Sequence, residues 1–206
     1  MKGFSYDLLT VPNAMSLFRL VAAPSLIFFW FSVDMPVVTL VVGTAAGVTD
    51  LFDGIVARRL NQVTDLGALI DQLGDLIFES CCFIMAVMLG ELWVGWLVIY
   101  LFREFTVTTM RTYVASRGGI LPSSTLGKAK SSLFQYAFFI FFLGAILIRP
   151  GVLPDSYALC GISPGRVLMW VAIGSFMVGF AVSLISGWHY LRAFSRFYAE
   201  HRAEPR

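Results

Sequence analysis

Apolar positions run along the chain in six long blocks, near 14–33, 36–57, 67–89, 92–114, 130–149 and 166–190. Each is close to the roughly 20 residues a helix needs to cross a bilayer. The pattern predicts an all-α polytopic membrane protein with six transmembrane helices, forming a single membrane domain over residues 1–206. Ahead of the first block, Phe4, Leu8, Leu9 and Val11 fall on one side of residues 1–12, with Lys2 and Asp7 among them. That arrangement predicts a short helix lying in the membrane interface, and the stretch lacks the pattern of a cleaved signal peptide. Residues 192–206 read as a polar tail.

Composition sharpens this picture. Of 206 residues, 58% are hydrophobic and 14% charged, where soluble domains carry about 25% charged residues. Mean hydropathy is +0.78. Cys81, Cys82 and Cys160 offer neither a metal spacing nor a disulfide framework. A net charge of +2 gives no reason to expect nucleic acid as a partner.

The distribution of charge says more than its sum. Arg58 and Arg59 lie in the 58–66 link, Arg111, Arg117, Lys128 and Lys130 in the 111–130 link, and Arg192, Arg196, Arg202 and Arg206 in the tail, whereas the 33–36 and 89–92 links hold no Lys or Arg. The positive-inside rule then places both termini and both basic links in the cytoplasm, as expected of a multi-pass protein of the cell (inner) membrane. The 150–165 loop, with Pro150, Gly151, Pro154, Gly161, Pro164 and Gly165, faces outward and reads as turn chemistry. Trp93, Trp96, Trp170 and Trp188 near span ends read as an interfacial belt.

A carboxylate inside a span is expensive and needs a reason. The second and third blocks hold four, Asp50, Asp53, Asp71 and Asp75, spaced three and four apart so that each pair shares a helix face. The short link makes the two helices antiparallel neighbours, with Asp53 and Asp71 each roughly 7–8 Å from it and Asp50 and Asp75 one turn deeper. Four converging acids need a compensating cation. An all-oxygen donor set suits two hard divalent ions, Mg²⁺ or Mn²⁺, of the kind that bind a pyrophosphate and stabilise phosphoryl transfer. Gly54 and Gly67 allow close approach of backbone or ligand, and Arg58 is placed to grip a phosphate oxygen. A proton or cation pathway through a channel or transporter is the competing reading of the same acids.

Written out, the stretch reads Asp50, two residues, Asp53-Gly54, two residues, Ala57-Arg58, eight residues, Gly67, three residues, Asp71, three residues, Asp75. This resembles, without gap or mismatch, the signature of the CDP-alcohol phosphatidyltransferases. The resemblance implies that an alcohol hydroxyl attacks the β-phosphorus of a CDP-lipid such as CDP-diacylglycerol and releases CMP. It also implies that Asp50, Asp53 and Asp71 hold two divalent metals with help from Asp75, and that Asp75 is the general base. Gly54, Ala57 and Arg58 would contact the cytidine and its phosphates, and a homodimer within the lipid bilayer is the expected assembly.

Further segments are similar to the phosphatidylglycerophosphate synthases within that family. These are Pro12-Asn13 through Ser16 to Arg19, then Ala57-Arg58-Arg59-Leu60-Asn61-Gln62 with Thr64, Arg103-Glu104-Phe105 with Arg111, and Gly127-Lys128-Ala129-Lys130-Ser131. The resemblance adds Asn13 and Gly67 to the CDP-lipid contacts and implies glycerol 3-phosphate as the acceptor. Lys128, Arg111 and Arg103 are the candidates for its phosphate. For Arg103 two readings stand together, phosphate contact and a salt bridge to Glu104 or to an Asp. Arg111, Lys128 and Lys130 also suit anionic lipid head groups. The chain departs from that subgroup at Gln72, Leu76 and Gln135, so inositol phosphate and serine stand as alternative acceptors.

Overall fold

The computed structural model describes the backbone of residues 10–60, 64–119, 121, 125–149, 152 and 161–201. Expectations for residues 1–9, for most of the 150–165 loop and for residues 202–206 lie outside the described residues. Those described form helices and no strand: α1 (Val11–Ile27), a π-helical turn (Phe28–Ser32), α2 (Pro36–Arg59), α3 (Asp65–Met88), α4 (Val94–Ser116), α5 (Thr125–Leu147) and α6 (Pro164–His201). The all-helical expectation holds. Val11–Ser32, Lys130–Leu147 and Pro164–Glu200 are long and apolar enough to cross a membrane. Helices α2, α3 and α4, of 24, 24 and 23 residues, are about 35 Å long at 1.5 Å per residue but carry more charge.

Local chemistry sets the helix ends. Thr10 caps α1 in an extended conformation, its hydroxyl accepting from the Asn13 N–H at 3.4 Å, with proline in the first turn where no N–H is needed. Thr64 caps α3 in the same way, accepting from the Gly67 N–H at 3.0 Å. Helices α3 and α4 stop at Gly90 and Gly118, both at φ +75°, a left-handed conformation that glycine adopts without a Cβ penalty. Helix α6 does not stop where the apolar block ends. Residues read as a tail from 192 onward continue it to His201, because Phe194 and Tyr198 recur at helical spacing and pack with Tyr113 of α4.

The chain forms two compact units. One gathers α1, α2 and α3 with Phe139–Met169, and the other gathers α4 with the first part of α5 and the rest of α6. In the first, α1 packs along both α2 and α3, burying Ala22, Ala23 and Leu26, while Trp30 meets Phe142 at 5.8 Å between ring centroids. In the second, aromatic rings form the core: Phe134 lies 5.9 Å from Tyr100 and 5.2 Å from Phe176, and Trp96 lies 5.0 Å from Phe180. Large apolar side chains such as Val21, Trp93 and Phe102 are about 70% exposed, an outer surface that suits lipid and not water.

Candidate active site

The third and fourth acids of the signature are brought together. Asp71 and Asp75 sit one turn apart on α3, and each is roughly 40% exposed. Both turn Oδ1 toward one atom, Nη1 of Arg19 on α1, which donates to Asp71 at 3.1 Å and to Asp75 in a shorter contact. Arg19 itself is 1% exposed. Two carboxylate oxygens therefore converge on a single cationic point, and the cation reaches it from the protein interior.

Helix α1 is held against α3 by close approach. A Cβ on Gly67 would collide with the Asn13 Oδ1 and lie 2.8 Å from the Thr64 Oγ1. One on Gly74 would lie 3.5 Å from the Ser16 carbonyl oxygen. The absent side chain at 67 lets Asn13 press against the acids' helix, and Ser16 and Arg19, spaced three apart with it on one face of α1, continue along that helix. All three are buried. Sequence reasoning placed Asn13 and Gly67 beside a ligand; the structure places them beside each other.

Asp50, Asp53, Gly54, Ala57 and Arg58 lie on α2, with their side chains outside the described residues. Among the described residues no group of three or more metal-ligating side chains occurs; of the four acids, the two whose side chains are described are the pair at Arg19. Glu79, one turn beyond Asp75, is buried.

The acceptor-side residues divide. Arg103 on α4 is buried, its Nη1 2.5 Å from the Glu104 Oε1, its Nε donating to the Ser183 carbonyl at 3.1 Å and its Nη2 to the Ser186 hydroxyl at 3.2 Å. The salt-bridge reading of Arg103 is thus present in the structure. Lys130, read as a surface residue from its place at a span end, is 5% exposed. Its ammonium pairs with the same Glu104 oxygen at 2.6 Å and stands over the rings of Tyr100 and Phe134 at 5.4 and 5.6 Å. Arg111 is exposed on α4, and the Lys128 side chain on α5 lies outside the described residues. Lys130, Ser183 and Ser186 were not legible as a network, because their partners lie on three helices. Arg19 carried two signals, the polar stripe Asn13, Ser16, Arg19 on a mostly apolar helix and its place at the end of the Pro12-to-Arg19 segment.

Comparison with known proteins bears on the same residues. A family model described as CDP-alcohol phosphatidyltransferase matches residues 9–178, a span that includes both α1 and the signature. A Rickettsia bellii protein named CDP-diacylglycerol–glycerol-3-phosphate 3-phosphatidyltransferase is 27% identical over 191 residues, covering 91% of this chain and 97% of the relative. A Bacillus subtilis protein of the same name is 32% identical over 146 residues, covering 70% and 67%. A Mycobacterium tuberculosis protein named probable phosphatidylglycerophosphate synthase is 34% identical over 138 residues, covering 64% and 65%.

Proposed function

The chain belongs to the CDP-alcohol phosphatidyltransferase family, and from that premise we propose that it transfers the phosphatidyl group of CDP-diacylglycerol to glycerol 3-phosphate. The products are phosphatidylglycerophosphate and CMP. The observation that carries the reading is the convergence of Asp71 and Asp75, within an unbroken signature, on one cationic point. The names of the relatives support glycerol 3-phosphate as the acceptor.

The donor set fits divalent metal. It is carboxylate oxygen throughout, the donor type that hard cations take, and the described pair already gathers on a cation, the Arg19 guanidinium. Asp50, Asp53, Asp71 and Asp75 would hold two ions, Mg²⁺ or Mn²⁺, which when bound neutralise diphosphate charge. Gly54, Ala57 and Arg58 bind the CDP moiety, with Asn13 and Gly67 shaping the wall beside it. The acceptor hydroxyl oxygen forms a bond to the β-phosphorus, the bond from that phosphorus to the CMP oxygen breaks, and Asp75 takes the hydroxyl proton. A carboxylate beside metal is a weak base, so orienting the hydroxyl contributes more than basicity. Lys128 and Arg111, with Arg103, hold the acceptor's phosphate.

The same proposal sets the chain in the inner membrane as a six-span homodimer, with the active site and both termini toward the cytoplasm. Helices α2, α3 and α4 are long enough to span, and the Lys and Arg bias of the links supports the orientation. The test is CMP release by purified protein from CDP-diacylglycerol across an acceptor screen. Glycerol 3-phosphate should support metal-dependent release. Release with inositol phosphate or serine alone would move the acceptor, and no release with any of them would remove the transfer reading.

A further inference from the structure

Arg19 lies outside the signature and takes no part in the chemistry above, yet its surroundings are specific. Its guanidinium is buried, and one nitrogen serves both Asp71 and Asp75. Two carboxylates one turn apart repel each other. A shared cation removes that repulsion and fixes where one oxygen of each acid points. The helix that delivers it is itself fixed, because Thr10 caps α1, Asn13 abuts Gly67 and the Ser16 carbonyl abuts Gly74. A guanidinium tethered at this depth has little freedom to follow the acids. The acids instead follow it.

We propose that Arg19 is a positioning residue for the transfer site: it sets the orientation of the Asp71 and Asp75 carboxylates and, through them, the affinity of the site for divalent ion. This rests on the proposed function in one respect, that Asp71 and Asp75 hold the metal. Arg19 acts on the ligands and not on substrate. A mere tether between α1 and α3 would behave differently, since its loss would lower the amount of folded protein and leave the metal affinity of the folded fraction unchanged.

Mn²⁺ binding to the full-length protein in detergent, measured by electron paramagnetic resonance of the free ion without substrates, separates the two. Arg19→Gln should weaken Mn²⁺ binding by about tenfold or more, the range for partners that orient metal ligands. Arg19→Lys, which keeps the charge without the planar fork, should fall between Gln and wild type. In an Asp71→Asn background, Arg19→Gln should add less than it does alone, because one of its partners is already changed. Wild-type affinity in folded Arg19→Gln, or in Arg19→Lys if the Gln variant does not fold, overturns the proposal, as does tighter binding. Absence of Mn²⁺ binding by the wild type overturns the metal site and this role with it. A failed acceptor screen alongside the expected Mn²⁺ series overturns the acceptor assignment alone.

Discussion

The buried Lys130 and the partly buried Glu104 form an ion pair, 2.6 Å between Nζ and Oε1, that ties the beginning of α5 to the middle of α4. The same Oε1 accepts from Arg103 at 2.5 Å, so one anion serves two buried cations. Removing it takes away the one carboxylate that both cations share, a greater loss than removing either cation. Glu104→Leu should destabilise the protein by about 3–5 kcal/mol, the range for breaking a buried pair from one side. Lys130→Met should cost less, because the Arg103–Glu104 bridge and the Tyr100 and Phe134 rings remain. Thermal unfolding in detergent ranks the two, and equal losses would count against the shared anion.

Lys128 and Lys130 should therefore separate by phenotype although only one residue lies between them. Lys130 is engaged in holding α4 and α5 together. Lys128→Ala should leave unfolding temperature near wild type and raise the KM for glycerol 3-phosphate by roughly 10–100-fold, the loss of a charged hydrogen bond of about 1.5–3 kcal/mol. The KM for CDP-diacylglycerol should stay constant. Steady-state kinetics with each substrate varied in turn checks this, and an unchanged acceptor KM would take Lys128 out of the site.

The difference between these lysines marks how far the sequence could be read. The acids were conspicuous because charge within an apolar block is rare, and Asp71 and Asp75 meet as their spacing requires. Their cation was not, because Arg19 lies 52 and 56 residues away along the chain and only the packing of α1 on α3 brings it there. Lys130 sits where a span begins, a place that suits a head group, and its burial depends on Glu104 and Tyr100 from α4 and on the Phe134 ring one turn along its own helix. The length of α6 was hidden in the same way, since hydropathy ends near residue 190 while aromatic packing carries the helix to His201.

Gly67 tests the close packing of the site. A methyl group there would collide with the Asn13 amide oxygen and press on the Thr64 hydroxyl that caps α3. Asn13 is 1% exposed and has little room to swing aside, so α1 must shift on α3 and carry Arg19 away from the acids. Gly67→Ala should cost about 1–3 kcal/mol from overpacking and should lower kcat beyond what the loss of folded protein explains. Activity normalised to the folded fraction is the discriminating quantity. Full normalised activity would show that the α1–α3 spacing does not govern the site.

Gly144 and Gly165 make a second close approach, between α5 and α6, and here backbone meets backbone. A Cβ on Gly144 would lie 2.8 Å from the Gly165 carbonyl oxygen, and a Cβ on Gly165 would lie 2.7 Å from the Gly144 carbonyl oxygen and 2.9 Å from the Ile148 nitrogen. Backbone atoms cannot rotate away as a side chain can, so the helices must separate. That separation forfeits the contact that small residues provide between helices in lipid, where no hydrophobic force drives them together. Each single Ala substitution should cost about 1–3 kcal/mol, and the double variant less than their sum, because the first separation makes room for the second methyl. Gly174 on α6 supplies the control, since a Cβ there would meet nothing within 4 Å. Gly174→Ala should be neutral or stabilising by up to about 1 kcal/mol from helix propensity alone. Unfolding midpoints of the four variants decide the point, and a Gly144→Ala protein as stable as Gly174→Ala would rule out the close approach.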